Sequence, residues 1–472
     1  GLSALTANDV VEIVVYDVFS VFSGNVNSNF NVGGNLTVTG TVDIDGAATT
    51  DGITNAGNFS TDGGTIKLDG NYPTGSNNVA LGDTALDDGS LSGGNNTAVG
   101  ASALTDNTSA GQNTAIGSFA GTNLTTGGLN VAVGQNALFT ATTGTNNVAV
   151  GQGSLDALTT ASNNVAVGKD ALGANTTGAR NVAVGPLSLD ANTTGQKNTA
   201  VGYGALSDYN VTDSGDDFNV AIGYVALNRT TTGPYNTAVG SKALEYNTTG
   251  QENTALGTFS LDANTTASYN TGLGYGTLSE NTTGPHNTAL GHTALLSNTT
   301  GDSNTAVGST ALDANTTGAA NTAMGYAALG ATTTGIRNTG LGAYALATNT
   351  TGTKNAAVGF YALQANTEGE QNVAVGQNAL DANTTADDNT AVGFNSLGAN
   401  TTGIHNTAVG SLALDANTTG NENTAVGYAS LTQATTAAGN TAMGWGAALN
   451  TTTGYANVAM GLSSLGANTT GY

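Results

Sequence analysis

The sequence predicts an all-β fold: a repetitive parallel β-solenoid, or β-roll, with one coil per 17 residues. Three observations predict it. The phrase Asn-Thr-Ala-Val-Gly, or a close variant, stands at Asn96–Gly100, returns at Asn113–Gly117 and Asn130–Gly134, and runs on to Asn457–Gly461. It occurs in 23 copies from Asn78, always with Asn first and Gly fifth, and the period of 17 breaks only after the first copy and at the step from Asn198 to Asn219. A fixed period over most of a chain marks a repeat architecture. Each unit also carries about two glycines and several threonines, and each Gly costs roughly 1 kcal/mol in a helix, so a helical array is excluded. An odd period would flip the faces of one long strand at every repeat, which excludes that reading too.

Taken in order, residues 1–30 come first. The run Val10-Val11-Glu12-Ile13-Val14-Val15-Tyr16-Asp17-Val18-Phe19 is rich in β-branched and aromatic residues. It reads as strand, with a short helix after Thr6 or Asn8 as the alternative. Its apolar stretch holds Glu12 and Asp17 and is too short to span a bilayer. Residues 31–76 alternate apolar and polar: Leu36, Val38, Val42 and Ile44 would line one face of short strands broken by glycines. This texture predicts a β shaft or collar.

Residues 77–472 form the array. Counting the Asn of the phrase as position 1, the consensus is Asn-Thr/Val-Ala-Val-Gly-x-x-Ala-Leu-x-Ala-Asn-Thr-Thr-Gly-x-x. Two short strands per coil are expected, at positions 1–5 and about 7–11. Gly at 5 permits one bend and Asn-Thr-Thr-Gly supplies the other turn. Alternation puts positions 2 and 4 on one side of the first strand and position 3 on the other. Position 3 is Ala except at Gly272 and Gly340, and position 9 is Leu except at Gly121 and Ala448. The structural core of a unit is therefore read as Asn96, Ala98, Val99, Gly100 and Leu104, with Val at 4 and Leu at 9 inside. Burial there is worth about 1.5–3 kcal/mol per side chain. The small Ala face would then pack against sister chains. The opposite assignment, with Ala inside and Val and Leu at the subunit interface, is the alternative. At about 4.8 Å per coil, the array makes a rod of roughly 110 Å. An insertion at 207–218, with Asp213, Asp216 and Asp217, reads as a surface loop.

Composition narrows the function. Acidic residues outnumber basic ones 32 to 8, a net charge of −24, which disfavours nucleic acid and anionic membrane as partners. Cysteine is absent, so rigidity must come from packing and hydrogen bonds. No catalytic constellation stands out, and the sequence reads as a non-enzyme. His286, His292 and His405 fall on turns of separate coils. The calcium β-roll nonapeptide is missing, and neither a metal nor a cofactor is expected. Asp190, Asp262, Asp313, Asp381 and Asp415 at position 10 read as solvated surface. Asn-Thr-Thr matches a glycosylation acceptor but reads better as a turn whose Asn and Thr stack in ladders. Position 6 is aromatic-rich toward the C-terminus: Tyr203, Tyr224, Tyr275, Tyr326, Phe360, Phe394, Tyr428 and Trp445. Stacked rings there would cover a coil corner or form a surface-contact stripe for a glycan.

The run Asn-Asn-Val-Ala-Val-Gly at 146–151 and 163–168 resembles the head repeat of trimeric autotransporter adhesins. That resemblance implies a left-handed parallel β-roll in which three chains lie side by side. The 17-residue unit with Asn-Thr-Thr-Gly departs from that family, and no coiled-coil stalk or membrane anchor follows. The segment from Leu5 to Phe19, followed by Gly34-Asn35-Leu36-Thr37-Val38-Thr39-Gly40-Thr41, resembles tail-fibre proteins of marine bacteriophages. This implies a homotrimer held to a virion tail or baseplate protein at its N-terminal end, outside the cell, contacting a host glycan or protein. A bacterial trimeric surface adhesin and an extracellular homopolymeric filament are the alternatives. The chain opens on Gly1, not Met, and closes on Tyr472 inside a repeat, which reads as a chain cut at both ends.

Overall fold

A computed structural model describes residues 75–211 and 215–471. The expected strand at 1–30 and nearly all of the shaft at 31–76 lie outside the described residues. The array is a parallel β-solenoid. Its 23 strands run from β1 (Val79–Leu81) to β23 (Val458–Met460), three residues each, one per coil. Each pairs in parallel with the strand of the next coil, in register, so that Ala98 lies against Ala115 and Ala115 against Ala132. The register survives the longer step at the insertion, where Ala200 pairs with Ala221.

The second expected strand is not there. Positions 6–11 form turns, and the residues at 7 and 9 take left-handed backbone, as at Ser102 (φ 56°) and Leu104 (φ 52°). The physical reason lies in the core. Positions 8 and 9 are both buried, as Ala103 and Leu104 show, and a strand cannot point two successive side chains the same way. Left-handed backbone costs roughly 1–2 kcal/mol at a non-Gly residue, and burying a leucine returns about 1.5–3 kcal/mol. The coil therefore accepts a leucine where local preference alone would reject one.

The turns are still hydrogen-bonded from coil to coil. In the coil 304–320, Thr305 N–H donates to Asn321 O, Leu312 to Ala328 O, Ala314 to Gly330 O and Thr316 to Thr333 O, all in the following coil. Gly308, Thr310 and Ala320 donate back to Leu290, His292 and Asp302. The ladder thus runs around the coil perimeter, and backbone groups that a strand would satisfy are satisfied without one.

The core assignment also needs correction. Leu104 is buried, as expected, but Ala98, expected to face a sister chain, is buried with it, and Val99 is half-exposed on the outer side of the strand with Thr97. Neither face assignment holds whole: alanine at 3 and leucine at 9 share the interior, and the bulky residues at 2 and 4 face out. The interior is narrow, and leucine arriving from the turn leaves room only for a methyl opposite. In one coil two hydroxyls crowd out even the methyl: a Cβ on Gly272 would stand 2.5 Å from Ser260 Oγ and 2.8 Å from Thr277 Oγ1. Where Gly121 stands at position 9, Leu124 three residues on is buried beside it.

Asparagine supplies the polar core. Asn113 N–H donates to Asn96 Oδ1 at 2.9 Å, and Asn96 Nδ2 donates to Ala110 O at 3.0 Å, closing its own coil. The Asn of the Asn-Thr-Thr turns forms a second ladder, as in Asn298 Nδ2 to Asn281 Oδ1 at 2.8 Å and Asn315 Nδ2 to Asn298 Oδ1 at 2.7 Å. Threonine at 13 donates to the next threonine carbonyl, as Thr299 does to Thr316 at 3.0 Å. The expected ladders are therefore present. Exposed Leu129, at position 17, is left-handed with φ 62°. Asparagine tolerates that backbone better and occupies it at Asn146 and Asn163. Leu129→Asn is expected to raise stability by roughly 0.5–1 kcal/mol, read from the thermal midpoint. A lower midpoint would contradict this strain assignment.

Candidate interaction surfaces

The outward positions of the sheet make the largest uniform surface. Positions 2 and 4 of the 23 strands carry Val, Thr, Leu, Ile, Met or one Ala, and none carries a charge. They stay exposed enough to matter: Leu256 is 44% exposed, Leu290 41% and Met324 46%. This uncharged strip, aliphatic at position 4 and mostly threonine at position 2, follows the rod from end to end. Its signal was in the alternation, but parity alone did not say which side was out.

The eight aromatic residues at position 6 all lie in one exposed column beside the strip. They do not form one continuous stripe. Tyr203 stacks on Tyr224 at 5.7 Å, and Tyr428 on Trp445 at 6.0 Å, each pair in adjacent coils. Tyr275 stacks on His292 at 5.5 Å. Tyr326 meets Tyr344 edge-on, and Phe360 lies against Tyr361. Phe394 stands apart, with Ser411 and Gln377 in the neighbouring coils. Stacked pairs spend ring faces on each other, while all eight rings keep 43–55% of their surface exposed.

Position 17 holds a second aromatic column that sequence reasoning passed over. Phe218 stacks on Tyr235 at 6.0 Å and Tyr269 on His286 at 4.9 Å. The residues are visible in the repeat register, but each belongs to a position that apart from Leu129 is otherwise polar or small.

Electrostatics across the array are quiet. Burial holds the carboxyls of Asp156, Asp190, Asp262, Asp313, Asp381 and Asp415 above the usual carboxylate range. These position-10 side chains are half-buried between coils and are not simply solvated surface. His286, His292 and His405 are exposed on separate coils, and among the described residues no three His, Cys, Asp or Glu side chains converge as a metal site. The Asn of the Asn-Thr-Thr turns is buried and hydrogen-bonded, as at Asn298 and Asn315.

The insertion is only partly a surface loop. Tyr209 is fully buried and takes the place of the turn asparagine. Asp217 turns inward and accepts from Gln196 N–H at 2.7 Å and Asn198 Nδ2 at 3.3 Å. Its carboxylate thereby replaces the coil-closing carbonyl. Asp216 stays exposed and pairs with Lys197. Residue 213 lies outside the described residues. No family model, curated protein or solved structure matches the chain.

Proposed function

We propose that the array is the rod of an adhesive fibre in which copies of this chain lie side by side along the apolar strip. The strip is the observation that carries the reading. Monomeric proteins rarely expose more than about 600 Å² of contiguous apolar surface. Two part-exposed side chains on each of 23 strands, 14 of the 46 being threonine, offer on the order of 2,000 Å² of uncharged, largely apolar surface, the range of permanent interfaces. A second copy is the partner that fits best, because an identical rod repeats at the same coil spacing and meets the strip coil for coil. The absence of charge from the strip spares that contact the cost of desolvating ions.

Within this reading the fibre is a homotrimer, as both sequence resemblances imply, and the N-terminal segment ties it to a phage virion tail. The exposed surface then faces the host cell. A rod held together by ladders and lacking convergent acid, base or metal groups among its described residues suits display and reach. Sedimentation of the intact chain should give three times the 46.1 kDa chain mass. The double variant Leu256→Glu, Leu290→Glu should sediment as smaller species while keeping its β signature in circular dichroism. A wild-type monomer at micromolar concentration would end the proposal. Electron microscopy of virions with an antibody against the array tests the attachment to a tail.

A further inference from the structure

On six successive coils, position 17 reads Lys197, Phe218, Tyr235, Glu252, Tyr269 and His286. Tyr235, Glu252, Tyr269 and His286 each donate their N–H to position 16 of the preceding coil, at Asp217, Pro234, Gln251 and Ser268. Their side chains therefore stand one coil apart. Two parallel ring stacks result, Phe218 with Tyr235 at 19° and Tyr269 with His286 at 2°. The coil between the stacks contributes Glu252. Tyr235 and Tyr269 are thus two coils, about 9.6 Å, apart, with a carboxylate between them. An open recess of about 460 Å³ lies between Tyr235 and Glu252. Glu252 is exposed, and no side chain among the described residues bonds to its carboxylate or pairs with it.

Ring faces and a carboxylate present the same sign of potential. A cation seated on the Glu252 carboxylate, between the two ring planes, would stand about 4.8 Å from each plane, near the limit of about 6 Å from a ring centroid at which an ammonium gains from a ring face. The chain's own cations already use rings in this way. Lys197 Nζ sits 4.9 Å over Phe218, Arg229 4.7 Å over Tyr246, and Lys242 6.0 Å over Phe259. Lys197 thus covers the outer end of the Phe218–Tyr235 stack, and among the described residues no cation covers the end that faces Glu252. We propose that Tyr235, Glu252 and Tyr269 form a slot for an organic cation of the methylated ammonium class. A neutral sugar ring could bond the two tyrosine hydroxyls and the carboxylate but brings no charge for the ring faces and Glu252 to answer, whereas an alkylammonium does. The net charge of −24 adds a long-range attraction for cations.

The slot is built by one chain, so its occupancy and the side-by-side association can succeed or fail separately. The test titrates choline chloride into the intact protein and follows saturation transfer to its N-methyl protons. Millimolar binding is expected. Glu252→Gln and Tyr235→Ala should each weaken it at least tenfold. Glu422→Gln, at the same coil position but with no tyrosine on either side, should leave it unchanged. Choline affinity indifferent to both slot variants would overturn the proposal, as would methyl glucoside binding as tightly as choline. Both slot positions are exposed, and circular dichroism of the variants verifies that the rod is intact.

Discussion

Replacing Gly291 with alanine is expected to part the rod between the coils that begin at Asn287 and Asn304. Gly291 is the fifth residue of its phrase, with φ at +133°. A Cβ there would lie 2.5 Å from the carbonyl oxygen of Gly308 and 2.6 Å from its carbon. Neither atom can yield easily, because Gly308 N–H is tied to Leu290 O at 2.8 Å. The backbone conformation alone costs a side chain roughly 1–3 kcal/mol, and the overlap adds a similar amount. In an array each unit contacts only its neighbours, so the loss is local. Hydrogen exchange should show protection falling at these two coils and holding elsewhere. Gly276→Ala is the comparison. Gly276 is also left-handed, at +61°, but its Cβ would meet nothing nearer than 3.6 Å, and Thr293 and Thr310 occupy the same place in the next coils. That change should cost about 1 kcal/mol or less. If the two variants lost protection equally, packing between adjacent glycines would not be what fixes position 5.

The same geometry shows what the sequence could disclose. Glycine at 5 and asparagine at 1 never change, and both constraints are steric or hydrogen-bonding demands of the coil on itself. Such demands recur in every copy and are readable from repetition alone. The turn at 7–9 is different. Leu104 and its equivalents adopt a backbone that no propensity scale assigns to leucine, because the return comes from tertiary burial. Alternation then misleads, since parity holds only while the chain remains extended. Parity puts Val99 inside, but the leucine entering from the turn takes that space. The surfaces were legible to different degrees. The aromatic residues at position 6 stand out because eight of them share one column. The slot around Glu252 does not, since it depends on which rings fall in neighbouring coils and on how they stack.

The two asparagine ladders meet at one atom, and this makes their energetics separable. The carbonyl of position 15 accepts from the first asparagine and, where present, from the turn asparagine. In one coil Gly318 O accepts from Asn304 Nδ2 at 2.8 Å and from Asn315 Nδ2 at 3.0 Å. In the next coil Thr332 replaces the turn asparagine, and Gly335 O accepts from Asn321 Nδ2 at 2.8 Å with no second side-chain donor. Each first asparagine also receives the N–H of the next one, Asn321 to Asn304 Oδ1 at 3.0 Å and Asn338 to Asn321 Oδ1 at 2.9 Å. Asn304→Ala therefore strands one buried group, the Asn321 N–H, whereas Asn321→Ala strands two, the Asn338 N–H and the Gly335 carbonyl. Each stranded group costs roughly 1–3 kcal/mol. Asn321→Ala is expected to lose about 2–6 kcal/mol, and Asn304→Ala at least about 1 kcal/mol less. Asn315→Ala should be the mildest, since other coils place Ala141 and Ala434 at its position in the turn. Denaturant unfolding of the three variants, with exchange protection followed coil by coil, gives the order. If Asn315→Ala proved as damaging as Asn321→Ala, the coils would be closed by the turn ladder and not by the first asparagine of the phrase.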